Sequence, residues 1–226
     1  LVYIEPVCDA LTAAGIATWN IEYRRLGNPG GGYPGTFHDV ASAIDHLREI
    51  APEYRLDLSR VVTLGHSAGG HLAVWAAARP RISSDNSILP RDSAPLALRA
   101  AISLAGVVDL YASWTYHLSN QVVEEFIGGA PAEFPERYAV ASPMELLPLG
   151  VPQVLVHGTE DENVPFEISR AYHAAALARG DDVTLVTLPG AGHFECVDPH
   201  SREWAVVQKT ILNFIVGQVS NLSHLS

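Results

Sequence analysis

Residues 61–78 read VVTLGHSAGGHLAVWAAA, and no other stretch of this chain restricts its fold as tightly. A short run of β-branched and apolar residues passes straight into G-x-S-x-G and then into an alanine-rich apolar segment, so a buried strand must turn abruptly into a helix. A serine at such a turn is lifted clear of the strand end, and Gly65 and Gly69 are read as positions where side chains would collide across it. The helix start adds free backbone N–H groups and positive potential, so the Ala68 amide can donate to a developing oxyanion. Ser67 is therefore the candidate nucleophile. The plainer alternative is that Ser67 merely caps a glycine-rich helix.

Serine is a weak nucleophile at neutral pH and needs a base, and that base needs a third group to fix its tautomer. Two further strand ends can supply them. VPQVLVHG runs into TEDENVP, which puts Asp161 in the loop beyond a strand. VTLVTLPG runs into AGHF, which puts His193 in the loop beyond the last one. Asp161 is preferred as the orienting acid. Glu160 and Glu162 flank it, and Asp109, at the end of SLAGVVDL, is its main rival. His157 reads as the close of a strand. His66 and His71 adjoin the nucleophile but are five residues apart, so they do not share a helix face as a metal pair would. No H-E-x-x-H occurs, and neither a metal nor another cofactor is expected.

Short apolar segments at 61–65, 100–104, 151–157 and 183–188, with another at 16–23, read as strands. Helical periodicity marks 6–14, 39–50, 68–78, 167–178 and 202–216. This alternation predicts an α/β fold, a mostly parallel sheet with helices on both faces, and function in the loops beyond the strands' carboxyl ends. The rhythm breaks at 109–148, where aromatic and turn residues outrun what a crossover needs. A single domain over 1–226 is expected, with 109–148 as a cap-like insertion over the site.

Lys and Arg total 14 against 25 Asp and Glu, and a formal charge of −11 disfavours phosphate backbones and anionic lipid surfaces as partners. Cys8 and Cys196 lack disulfide-framework or metal spacing, and no apolar run has membrane-spanning length, so a cytoplasmic setting is expected. Residues 30–35, GGGYPG, satisfy G-x-G-x-x-G. A dinucleotide site would require an acidic residue at the end of the following strand, and that strand ends in GHS. The segment is read instead as a flexible loop near the active site.

WNIEYRR with PGTFHDV, GHSAGGHLAVWAA, SLAGVVDL, SPMELLPLGVPQVLVHGTEDENVP and LPGAGHFE together resemble bacterial α/β-hydrolases of the esterase and arylformamidase-like group. The resemblance implies the α/β-hydrolase fold, a triad of Ser67, Asp161 and His193, Ala68 as one oxyanion donor, and a small ester or amide substrate. In that group an HGG-type motif upstream of the first helix completes the oxyanion hole. This sequence begins where the following helix would start, so a second donor and N-terminal strands are expected from an upstream segment outside it. An esterase-like hydrolase is favoured. Arylformamidase action on N-formylkynurenine-like amides is a close alternative, and a non-catalytic ligand- or partner-binding member of the fold is an alternative of another class.

Overall fold

In a computed structural model, which describes residues 3–90 and 94–220, strand and helix alternate as the apolar periodicity requires. In chain order the elements are α1 (Glu5–Ala13), α2 (Gly35–Asp45), α3 (Leu47–Tyr54), β1 (Val62–His66), α4 (Ala68–Ala78), β2 (Ala100–Leu104) and α5 (Leu110–Thr115). There follow α6 (Leu118–Ile127), α7 (Pro135–Ala141), β3 (Gln153–Gly158), α8 (Phe166–Ala178), β4 (Val183–Leu188) and α9 (Trp204–Ser220). Among the described residues the strands form one parallel sheet in the order β1-β2-β3-β4. Leu64 pairs with Ile102, Ile102 with Val154, and Val154 with Thr184.

Successive strand residues face opposite sides of a sheet, and both sides of the central strands β2 and β3 are buried here. Ala101 and Leu155 join Phe37, Leu72, Trp75, Ile168 and Tyr172 on the side of α2, α4 and α8. Ile102, Leu104, Val154 and Val156 join Val7, Leu11, Trp204, Val207 and Ile211 on the side of α1 and α9. Burial on both faces is why these strands read as continuous apolar runs, and the expected α/β architecture is the one observed. α4 is apolar all round because it is enclosed: every residue from Gly70 to Ala78 is buried. Among the described residues, no helix is long and apolar enough to cross a membrane.

Three local readings differ from the structure. Residues 16–23 carry strand-like side chains but form no strand. A strand needs a neighbour to complete its ladder, and among the described residues β1 pairs only with β2. The segment lies along α2 instead. The backbone N–H and guanidinium of Arg24 donate to Asp39 at 2.7–2.8 Å, and the Trp19 indole N–H donates to the Ala43 carbonyl at 3.1 Å. The helix expected at 39–50 starts earlier, at Gly35, and divides into α2 and α3 at His46.

The loop at 30–35 is closely packed, contrary to its reading as flexible. A Cβ on Gly31 would lie 1.9 Å from the Arg25 carbonyl oxygen, and one on Gly35 would lie 1.8 Å from that of Gly30. The Tyr33 N–H donates to the Phe126 carbonyl at 2.8 Å, tying the loop to α6. Residues 109–148 fold as α5, α6, α7 and a 3-10 turn at Pro143–Leu146. His117, Ser119, Asn120 and Gln121, around the start of α6, hold φ between 47° and 66°. This is a left-handed backbone that costs a non-glycine residue about 1–2 kcal/mol.

Candidate active site

The end of β1 carries Ser67 at φ 54°, ψ −119°, a conformation that is sparsely populated for any residue with a Cβ. It is held from both sides. The Ser67 N–H donates to the Leu104 carbonyl at 2.9 Å, and the Ser67 carbonyl accepts the His71 N–H at 3.1 Å as α4 begins. A Cβ on Gly65 would lie 2.1 Å from the Gly69 carbonyl oxygen, so only glycine lets the strand pass so close to the helix start. Gly69 was read as its counterpart, yet a Cβ there would meet no heavy atom within 4 Å. The second crowded position is Gly70, whose Cβ would lie 2.8 Å from Gly106 Cα. The collision is with β2 and its following loop, which the local motif cannot reveal. Gly65→Ala should therefore cost upwards of about 4 kcal/mol, whereas Gly69→Ala should leave stability unchanged or raise it by up to about 1 kcal/mol. Thermal denaturation of the two variants checks this contrast.

Beyond β3, Asp161 is fully saturated with hydrogen bonds. One carboxylate oxygen, Oδ1, accepts the N–H groups of Asn163 and Val164 at 2.9 and 2.8 Å. The other, Oδ2, lies 2.7 Å from His193 Nδ1 and 3.1 Å from His157 Nε2. Burial alone would raise the Asp161 pKa, but the hydrogen bonds from His157, His193 and the Val164 amide outweigh it and hold the carboxyl well below the usual carboxylate range. Asp161 is thus an anion facing His193 Nδ1, which fixes the hydrogen on that nitrogen and leaves Nε2 free to take a proton. The rival Asp109 is engaged elsewhere, its carboxylate accepting the Ala112 N–H at 3.0 Å as the cap of α5.

The loops bearing Asp161 and His193 touch because Gly158, the last residue of β3, has no side chain. A Cβ there would lie 2.3 Å from the Ala191 carbonyl oxygen and 2.5 Å from that of Gly192. The Glu160 N–H donates to the same Ala191 carbonyl at 2.9 Å. On the other side, His66 secures the backbone of the His193 loop. His66 Nε2 lies 2.8 Å from the His193 carbonyl oxygen, so it carries the hydrogen, and Nδ1 accepts the Tyr3 hydroxyl at 2.9 Å. Burial, above all, pushes the His66 pKa down to about 4, which suits a ring whose centroid is 4.5 Å from that of His193.

Ser67, Ala68 and His193 border one cavity of about 590 Å³. Its wall is mainly apolar, with Leu72 from α4, Val107 and Leu110 after β2, and Leu118, Val123 and Phe126 from α6. Phe126 and Phe194 add aromatic rings to the wall. Trp114 instead donates its indole N–H to Glu124 at 2.8 Å, and Tyr116 is exposed. Sequence reasoning missed Tyr3, and it did not give His66 or His157 their contacts with the other site residues. A signal existed for His157, four residues before Asp161 across the strand end in HGTED. The second oxyanion donor, expected upstream of Leu1, lies outside the described residues.

A parallel sheet with a serine elbow after one strand, and an acid and a histidine after two later ones, defines an α/β-hydrolase. The chain belongs to the family described as BD-FAE, whose match covers residues 2–176. It is similar to the esterase LipQ of Mycobacterium tuberculosis, 31% identical over an alignment of 193 residues, which covers 83% of this chain and 45% of that protein. It also resembles the Arabidopsis thaliana alpha/beta hydrolase domain-containing protein WAV2, 28% identical over 81% of this chain and 56% of the relative. The chain thus spans about half the length of the curated relatives it matches. Among solved structures, a propionate-bound thermophilic esterase from Thermogutta terrifontis superposes with a TM-score of 0.77 at 24% identity, covering 96% of this chain and 77% of its own.

Proposed function

We propose that the protein hydrolyses carboxylic esters of small substrates through a Ser67-His193-Asp161 triad and an acyl-enzyme intermediate. The observation that carries this reading is the convergence, on one apolar cavity, of a strained serine at a helix start and a histidine hydrogen-bonded to a buried carboxylate. In the reaction, Ser67 Oγ attacks the ester carbonyl as its proton passes to His193 Nε2. The Ala68 amide donates to the oxyanion of the tetrahedral intermediate. Collapse breaks the bond to the alkoxide, which leaves with the proton from His193. Water, deprotonated by the same imidazole, then attacks the acyl-serine and releases the acid. Asp161 holds the imidazole in the required tautomer and stabilises its cation.

The mainly apolar wall favours an ester with an apolar acyl or alcohol part, and the cavity is in the usual range for small-molecule sites. An ester is preferred over a formamide because relatives of this chain are named as esterases. The test is a parallel assay of the whole protein on p-nitrophenyl acetate and N-formylkynurenine, with fluorophosphonate labelling. Faster ester hydrolysis and labelling at Ser67 are expected. A better rate on the formamide would overturn the ester preference, and a protein that neither turns over nor labels would be a binding member of the fold.

A further inference from the structure

Asp161 Oδ2 is shared by two imidazoles, and the reaction above uses only one of them. His157 lies near the end of β3 with its side chain 0% exposed, so it cannot touch a substrate. Its ring is held at every polar atom. Nε2 is 3.1 Å from Asp161 Oδ2 and 2.9 Å from the Val164 carbonyl oxygen. Both partners are acceptors, so Nε2 carries the hydrogen. Nδ1 lies 2.7 Å from the Ser169 hydroxyl oxygen. Phe166 packs edge-on against it with ring centroids 5.8 Å apart.

The connections form a closed loop. Val164 gives its N–H to Asp161 Oδ1 and its carbonyl to His157, while His157 reaches back to Asp161 Oδ2. The backbone amides hold Oδ1, whereas Oδ2 is held by the two imidazoles, His193 at 2.7 Å and His157 at 3.1 Å. An ordinary core histidine would be satisfied by Ser169 and the Val164 carbonyl alone. The additional contact goes to the oxygen that faces His193.

We propose that His157 is a positioning residue for acyl transfer, which fixes the plane of the Asp161 carboxylate so that Oδ2 stays aimed at His193 Nδ1. This rests on the triad reading above. The two ring nitrogens can be tested separately, because a glutamine amide nitrogen mimics Nε2 and an asparagine amide nitrogen mimics Nδ1. In the whole protein, His157→Leu and His157→Asn should each lower kcat on p-nitrophenyl acetate by on the order of 10- to 100-fold with KM within about twofold. His157→Gln should recover most of that loss. Rates are taken per site titrated with fluorophosphonate, so misfolded protein does not count. A leucine variant as fast as wild type would overturn the positioning role, as would equal rates for the glutamine and asparagine variants, which remain informative should leucine fail to fold. A wild-type protein that does not label would instead overturn the triad reading, and the positioning role with it.

Discussion

Ser67→Ala is expected to lower kcat for ester hydrolysis by roughly a millionfold, because members of a triad act as a unit and the remaining groups have no nucleophile to activate. The fold should survive. Alanine meets the same backbone constraint that serine already satisfies at φ 54°, and the bonds that hold the elbow are made by the backbone of residue 67, not by its hydroxyl. Asp161→Asn should lose on the order of ten-thousandfold, since an amide can present His193 with the wrong tautomer. Initial rates on p-nitrophenyl acetate and loss of fluorophosphonate labelling measure both effects. A Ser67→Ala protein within tenfold of wild type would end the assignment.

Acid should destabilise this protein well before ordinary carboxylates titrate. Burial holds His66 and His71 at about 4 in the folded state, against about 6.5 for an unperturbed histidine. As the pH falls from 6.5 towards 4, the unfolded chain takes up two protons that the folded chain refuses. The stability tied to these rings is fully present above pH 6.5 and drains away through that window. At about 1.4 kcal/mol per unit for each ring, the loss comes to somewhat over 3 kcal/mol apiece, or roughly 6–7 kcal/mol together. That is comparable with the whole stability of a typical domain, about 5–15 kcal/mol. Below about pH 4 the depressed Asp161 acts in the same direction, its contribution being present above the unfolded carboxylate pKa and lost as pH falls further.

Unfolding midpoints measured between pH 7 and pH 4.5 should drop by on the order of 10 °C. The His71→Gln variant isolates one ring. It keeps an N–H for the Ala141 carbonyl, which His71 Nε2 approaches to 2.8 Å, and removes one titrating group, so the pH dependence should shrink by about half. A flat wild-type profile would mean that neither ring is shielded in the way its burial indicates.

What could be read in advance follows from range. The turn from β1 into α4, the apolar runs of β2, β3 and β4, and the order of Ser67, Asp161 and His193 are local patterns, and periodicity and turn chemistry act over a few residues. Where the sequence reading erred, a distant partner decided the outcome. Residues 16–23 have strand composition, but strand formation depends on a neighbour that no local propensity supplies. Gly69 and Gly70 are indistinguishable by motif, and only the approach of Gly106 makes the second obligatory.

The sequence by itself therefore determined the kind of sheet, the position of the serine elbow and the set of candidate catalytic groups, because each is encoded within one strand and the loop after it. Tertiary structure alone decided which carboxylate reaches His193, that Asp109 is spent on capping α5, and that His66 and His157 brace the two loops that meet at Gly158. Those outcomes depend on separations of a few ångströms between segments far apart in the chain, and such distances are set only when the strands pair and the core closes around them.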